Sequence, residues 1–227
     1  LMQVLEQEVG ARLERMQPIP GLPDLVFTAN AGVVMGRKAV PSRFRYAERQ
    51  KEEAYFEDWF RTHGYDVLTL EKGLVFEGAG DLLGFPDGWF GGYRQRSDIR
   101  AFSIISEWFT REILPLELVD SRFYHLDTCF CPLSGGELLY YPAAFDRYGR
   151  AAIAERIAPE RRLAIPEDEA LKFACNAVCV GKHVTLPTGC PHTEQLLDAR
   201  GYRLHPVPLD EFMKSGGSAK CLTLALD

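Results

Sequence analysis

The sequence predicts an α/β protein in which five strand–strand–helix–strand repeats close into a ring. Three observations carry this prediction. The stretch FACNAVCVGKHV (173–184) resembles FTANAGVVMGRKAV (27–40): each has Asn-Ala, an apolar strand, a glycine, a basic residue and a second short strand. Each then leads to a helical pattern and to GYRLHPVPL or GYDVLTL. Two weaker copies, FEGAGDLLGF (76–85) and YHLDTCFCPL (124–133), are also followed by a helical segment and a strand. A polar or thiol residue opens the apolar strand of every copy: Asn30, Asp81, Asp127, Asn176 and Cys221 stand at intervals of 51, 46, 49 and 45 residues. Repeats of about 48 residues cannot cover their own apolar faces and need neighbours. A closed ring supplies the neighbours and removes open sheet edges. In such a ring the five opening residues converge near one mouth of the axis.

Taken in order, residues 1–16 read as a helix, with Leu1, Val4, Leu5, Val9 and Leu13 at helical spacing, ended by PIPGLP at 18–23. A strand is expected over 25–35 and another over 38–42. Residues 47–63 read as a helix with Tyr55, Phe56, Trp59 and Phe60 on its apolar face and Gly64 just past its end. YDVLTL at 65–70 is the next strand. Further helices are expected near 99–113, 146–157 and 194–200, and the chain closes on the apolar run SAKCLTLAL at 218–226.

The bulk numbers fit one soluble globular unit over 1–227: 46% hydrophobic and 26% charged residues, with no apolar run long enough to span a bilayer and no leader at Leu1. A formal net charge of -6 argues against nucleic acid as partner and suits a cationic small molecule. The six cysteines form no CxxC pair. Reduced thiols in a cytoplasmic protein are the expectation, because a chain of this length buries a core without disulfides. Cys129-x-Cys131, with His125 and another cysteine, could hold zinc, but that spacing is a poor zinc pattern. No metal or other cofactor is expected.

The motifs Phe27-Thr28-Ala29-Asn30, Phe76-Glu77-Gly78-Ala79-Gly80-Asp81, Arg96-Ser97-Asp98, His125-Leu126-Asp127-Thr128 and Gly216-Gly217-Ser218-Ala219-Lys220-Cys221 resemble the guanidine-modifying, or pentein, superfamily. That superfamily includes arginine deiminase, dimethylarginine dimethylaminohydrolase, amidinotransferases, succinylarginine dihydrolase and arginine dihydrolase. The resemblance runs from about residue 20 to the end. It implies a five-bladed α/β propeller. Members usually begin some tens of residues upstream, so the first blade is expected to be incomplete.

The resemblance also implies roles. Cys221 is the nucleophile, His125 the general acid and base, and Glu77 the carboxylate that orients the imidazole. The chemistry accounts for these types: a guanidinium carbon is shielded by resonance and calls for a soft, strong nucleophile. An imidazole near its working pH can protonate the leaving ammonia and deprotonate the incoming water. Asp127 would accept paired N–H bonds from the guanidinium, with Asp81 and Asn30 also expected at the substrate. Deiminases and dimethylarginine hydrolases look to carry Asp where Asn30 stands, whereas FTAN resembles the two dihydrolases. An amide both donates and accepts, so Asn30 suits a guanidinium and also the ureido product of a first hydrolysis.

Arg96 is the first choice to grip a substrate carboxylate and Arg43 the second, with Arg45 and Arg49 competing in the same stretch. Cys129 and Cys131 read as packed core thiols. The implied activity is hydrolysis of the guanidino group of L-arginine or a close derivative, with arginine dihydrolase ahead of dimethylarginine hydrolase or deiminase. A homo-oligomer is allowed. The competing classes are a non-catalytic ring used as a binding module and a zinc-held regulatory domain. Retention of Glu77, His125 and Cys221 together speaks against the first.

Overall fold

The computed structural model describes residues 1–86 and 88–226. Among these residues four three-stranded sheets follow one another along the chain, and each is built the same way. In the first, β1 (Gly32–Met35) pairs antiparallel with β2 (Lys38–Pro41), and β3 (Asp66–Val67) returns parallel to β2 after α1 (Ala47–Gln50) and α2 (Glu53–Thr62). The second sheet has β4 (Leu82–Phe85), β5 (Gly88–Tyr93) and β6 (Ile113–Glu117), with α3 (Ile99–Phe109) as its crossover. The third has β7 (Phe130–Pro132), β8 (Leu138–Tyr140) and β9 (Arg162–Ala164), crossed over by α4 (Arg147–Arg156). After α5 (Glu167–Ala170) the fourth has β10 (Val178–Val180), β11 (His183–Pro187) and β12 (Arg203–Val207), with α6 (Pro191–Asp198) between the last two, and α7 (Asp210–Met213) follows it. These are blades of the α/β propeller that the repeats predict. A parallel return needs a crossover, and each helix supplies it while covering the outer part of its sheet.

The apolar side chains that hold the blades together come from the strands and the inner helix faces. Val33, Val40, Phe76, Leu82, Phe102, Ile105 and Phe109 form one buried cluster between the first and second sheets. A larger cluster runs through the third and fourth sheets and includes Phe130, Leu138, Leu139, Val184, Leu186 and Leu197. Burying such side chains is worth roughly 1.5–3 kcal/mol each, which is the main force closing blade on blade.

Several expected boundaries shift. The helix over 1–16 is a single wide turn, Val4–Glu8, closed by Val9 N–H to the Val4 carbonyl at 3.1 Å. The strand expected over 25–35 begins only at Gly32, because Pro23–Val26 and Thr28–Ala31 form tight turns. The strand at 65–70 is reduced to Asp66–Val67. The run 218–226 carries no strand, so the fifth repeat contributes its opening turn and no sheet among the described residues. A cavity of about 1420 Å³ is lined by Leu222, Leu224 and Leu226, by residues between Leu1 and Val26, and by the first strands of all four sheets, among them Val33, Leu82, Cys131 and Val178. It contains Lys220 but neither Glu77, His125, Asp127 nor Cys221.

What positions the site is the start of each repeat. Asn30, Asp81 and Asn176 each end a tight turn in which their own N–H meets the carbonyl three residues back, on Phe27, Gly78 and Phe173. Residue 78 must be glycine: its φ is +66°, and a Cβ there would lie 2.8 Å from the Ala29 carbonyl oxygen of the preceding repeat. At the equivalent place Phe173 also takes a left-handed φ, +64°, at a steric cost that glycine avoids.

Candidate active site

The five repeat-opening turns are tied into a closed circuit. Asn30 Nδ2–H donates to the Glu77 carbonyl (2.8 Å), carrying the first repeat to the second. Asp81 Oδ1 accepts from Leu126 N–H (3.0 Å), second to third. Asn176 Nδ2–H donates to the Asp127 carbonyl (3.2 Å), fourth to third, and Asn176 Oδ1 accepts from Cys221 N–H (3.1 Å), fourth to fifth. Ala29 N–H donates to the Cys221 carbonyl (3.0 Å) and closes the ring. All five opening residues are buried. Three of them, Asn30, Asp81 and Asn176, therefore spend side-chain hydrogen bonds on holding the ring together. The side chains of Asp127 and Cys221 bond to no backbone group of a neighbouring repeat and meet each other instead.

Around this circuit stand the charged groups. His125 Nε2 and Glu77 Oε2 are 2.7 Å apart, both buried. Burial would raise Glu77, but the bond and charge of His125, and then Arg96, draw its carboxyl down to about 2. Burial would lower His125, but the carboxylates of Asp81 and Glu77 hold it above its ordinary 6.5. Each partner thus favours the charged form of the other. Glu77 also accepts from Arg45 N–H (3.1 Å) and from Arg96 Nη1 (3.1 Å), while Ser97 Oγ takes the Glu77 N–H (3.0 Å). The Arg96 guanidinium is packed between Tyr46 and Tyr124, 4.7 and 5.1 Å from their ring centres.

Cys221 is buried and its sulfur has two side-chain partners: Asn176 Nδ2–H at 3.1 Å and Asp127 Oδ2 at 3.6 Å. Burial and the Asp127 charge push the thiol well up. Burial also raises Asp127, against the pull of His125 and Lys220. Asp127 Oδ1 is buried without a hydrogen-bond partner. A buried acceptor left so costs about 1–3 kcal/mol, unless something arrives to donate. The loop that delivers Cys221 fits closely under two aromatic side chains. A Cβ at Gly217 would run into the Phe27 ring, and one at Gly216 would lie 3.0 Å from the Tyr124 hydroxyl.

The structure thus brings Cys221, Asp127, His125, Glu77, Asn30 and Arg96 to one mouth. Asp81 is there too, but its carboxylate is fully used by Leu126 N–H, Ser97 N–H (3.2 Å) and Ser97 Oγ–H (2.7 Å). Arg43 is turned away: its guanidinium meets Glu53 at 2.8 Å and Glu57 at 3.8 Å on α2. Its competitor Arg49 is the one at the cluster, donating to Asn30 Oδ1 (2.9 Å) while gripped by Glu52 (2.7 Å). Tyr124 and Asn176 were given no role from the sequence. The repeat spacing already marked Asn176; Tyr124 had only its place beside His125. Cys129 Sγ–H points to the Leu126 carbonyl (3.5 Å) and Cys131 Sγ–H to that of Ala177 (3.5 Å), and burial raises both thiols. Among the described residues no group of three or more His, Cys, Asp or Glu side chains is gathered to hold a metal ion, and no helix is long and apolar enough to cross a membrane.

No family model matches the chain. Curated relatives do. The bifunctional arginine dihydrolase/ornithine cyclodeaminase AgrE of Nostoc sp. (strain PCC 7120) is 49% identical over 226 residues, covering 99% of this chain and 32% of its own length. The N(G),N(G)-dimethylarginine dimethylaminohydrolase of Mycobacterium tuberculosis is 37% identical over 218 residues, covering 96% of this chain and 71% of its own. Among solved structures, the N-terminal domain of ArgZ, a cyanobacterial arginine dihydrolase, in a Cys-to-Ser form bound to substrate, superposes with a TM-score of 0.94 at 46% identity, covering 98% of this chain and 84% of that one. The chain spans about a third of the length of the bifunctional relative it matches.

Proposed function

The chain belongs to the guanidine-modifying (pentein) superfamily, with arginine dihydrolases and dimethylarginine dimethylaminohydrolases among its relatives, and we propose that it hydrolyses the guanidino group of L-arginine twice. One observation carries this reading: a buried carboxylate, Asp127, has an oxygen with no donor and lies 3.6 Å from a cysteine sulfur. That is a seat for a cation rich in N–H donors, with a nucleophile beside it.

The steps follow from the groups present. Guanidinium N–H bonds to Asp127 satisfy the orphan oxygen and bring positive charge against Cys221, which favours the thiolate; the thiol proton leaves to water. The sulfur bonds to the guanidinium carbon. His125, protonated and held by Glu77, gives its proton to one nitrogen, which departs as ammonia and leaves a thiouronium on Cys221. Water then adds to that carbon, its proton passes to His125, and the C–S bond breaks to give a ureido group. A second cycle on the ureido carbon releases the second ammonia. The thiocarbamate is hydrolysed to a carbamate, which loses carbon dioxide. Arginine and two waters become ornithine, two ammonia and carbon dioxide.

Asn30 supports two rounds over one. Arg49 and the Glu77 carbonyl take one lone pair and one N–H of its amide, which leaves a donor and an acceptor for the reacting group. Arg96 is the cation assigned to a substrate carboxylate, since Arg49 is committed to Glu52 and Asn30. Likeness to a dimethylarginine hydrolase keeps a single hydrolysis as the second reading. Incubation with L-arginine, methylated arginines, succinylarginine and agmatine, counting ammonia per molecule consumed, decides. Two ammonia and ornithine from arginine are expected; one ammonia and citrulline would sink the dihydrolase reading. Cys221→Ala should still bind arginine and form no product.

A further inference from the structure

The repeats make Asn176 equivalent to Asn30 and Asp81, and of the three only Asn176 bonds to the Cys221 sulfur. Its amide grips residue 221 at two points: Oδ1 takes the Cys221 N–H at 3.1 Å, and Nδ2–H points at the sulfur, also at 3.1 Å. A further bond runs from Nδ2 to the Asp127 carbonyl (3.2 Å), and the Asn176 carbonyl takes Lys220 N–H (3.2 Å). The side chain is fully buried, so water does not compete for these bonds. Closing the ring needs only the bonds to backbone. The N–H aimed at sulfur is surplus to that task. We propose that Asn176 is a further catalytic residue, whose side-chain N–H stabilises the Cys221 thiolate and fixes its line of attack.

The inference rests on Cys221 being the nucleophile. Physically, an N–H donor strengthens when its acceptor becomes an anion, so the bond favours thiolate over thiol. The other groups facing this sulfur act as follows. Asp127 Oδ2 opposes ionisation and the Ser218 backbone N–H assists it. Tyr124, kept protonated by burial, adds no charge. Lys220, next in the chain, pulls on Asp127. Asn176 is thus the one side chain set against Asp127 at the thiol itself.

The test needs no substrate. The rate at which iodoacetamide alkylates Cys221 is followed against pH, with the modified peptide identified by mass spectrometry, in the native protein, Asn176→Ala and Asn176→Asp. In Asn176→Ala the midpoint should move up by about one unit, making alkylation roughly tenfold slower at any pH below it. Asn176→Asp keeps an acceptor for Cys221 N–H but sets a second carboxylate against the sulfur, so its midpoint should move further. Profiles that overlay the native one in either folded variant overturn the inference. Should neither variant fold, the native protein labelled with ¹⁵N at asparagine side chains decides: one amide pair must shift with the alkylation midpoint, and none shifting overturns it. Loss of arginine turnover with an unmoved thiol titration would count against Asn176 alone. A moved titration in a protein that consumes no guanidino compound would count against the dihydrolase reading alone.

Discussion

Asp81 and Asp127 occupy the same position in successive repeats, and both are buried aspartates whose carboxyls are pushed up by desolvation, Asp81 to about 6. Their surroundings are opposite. Asp81 receives two backbone N–H groups and a serine hydroxyl, and it ties the second repeat to the third. Asp127 has a thiol at 3.6 Å from one oxygen and keeps the other bare. The repeat fixes where such a side chain points. What its neighbours leave unsatisfied fixes whether it is a joint of the ring or a seat for something else. Among the described residues Asp127 is the carboxylate among the buried side chains left with an unpartnered atom, and a buried acceptor of that kind is tolerated where a ligand completes it.

The sharpest way to break this comparison is to make the same substitution at both places. Asp127→Asn removes a buried charge that the ring does not need, so the melting temperature should hold or rise. It also removes the paired acceptor, and arginine affinity should fall by about 100-fold, two charge-assisted bonds being weakened together. Asp81→Asn keeps one acceptor oxygen but sets its amide N–H against the donors on the other side, Leu126 N–H or the Ser97 pair, and should cost about 2–3 kcal/mol of stability, with arginine affinity changed less than about threefold. Calorimetry of arginine binding and thermal melts on both variants would reveal it. If the two lose affinity and stability alike, the distinction between joint and seat is wrong.

The division was only half visible in the sequence. Even spacing located all five opening residues, and the strand–strand–helix–strand order of four repeats followed from apolar periodicity that tertiary packing then used. The spacing could not say which of the five would be consumed by the ring, because that depends on donors from other repeats: Leu126 N–H for Asp81, Cys221 N–H for Asn176. The helix over 1–16 failed for a related reason. Its apolar residues repeat correctly, but Gly10 with φ +77° breaks the chain direction and PIPGLP follows. Among Arg43, Arg45 and Arg49, local sequence offered no basis for choice. The acidic face of α2 claims Arg43, and Glu52 with Asn30 claims Arg49.

A smaller effect separates the charged pair behind the ring from the joints within it. His125 holds its proton more tightly when folded, so its share of stability is full below about pH 6.5 and is lost as pH rises through its raised folded value. Glu77, drawn from 4.5 to about 2, contributes above 4.5 and loses that share as pH falls toward 2. The pair therefore stabilises most between about pH 4.5 and 6.5. Glu77→Gln should cost about 2 kcal/mol in that window, and the gap in melting temperature to the native protein should narrow above the folded value of His125. A gap that stays constant from pH 5 to 9 would mean that the two do not share a proton and a charge as described.

The smallest effect concerns the two arginines, which the sequence ranked in order and the structure separates by place. Arg43 is about a quarter exposed and bonded to Glu53. Its loss in Arg43→Met should cost no more than about 1 kcal/mol, the usual worth of a pair that water partly screens, and should leave KM for arginine unchanged. Arg96 contacts Glu77 and is held between two tyrosine rings at the mouth. Arg96→Met should raise KM by about tenfold through a lost carboxylate partner, with a smaller change in kcat from the altered Glu77. Agmatine sharpens the contrast, because it lacks the carboxylate. The Arg96→Met penalty should shrink toward the Arg43→Met value with agmatine, and an equal penalty on both substrates would place Arg96 with the Glu77–His125 pair alone.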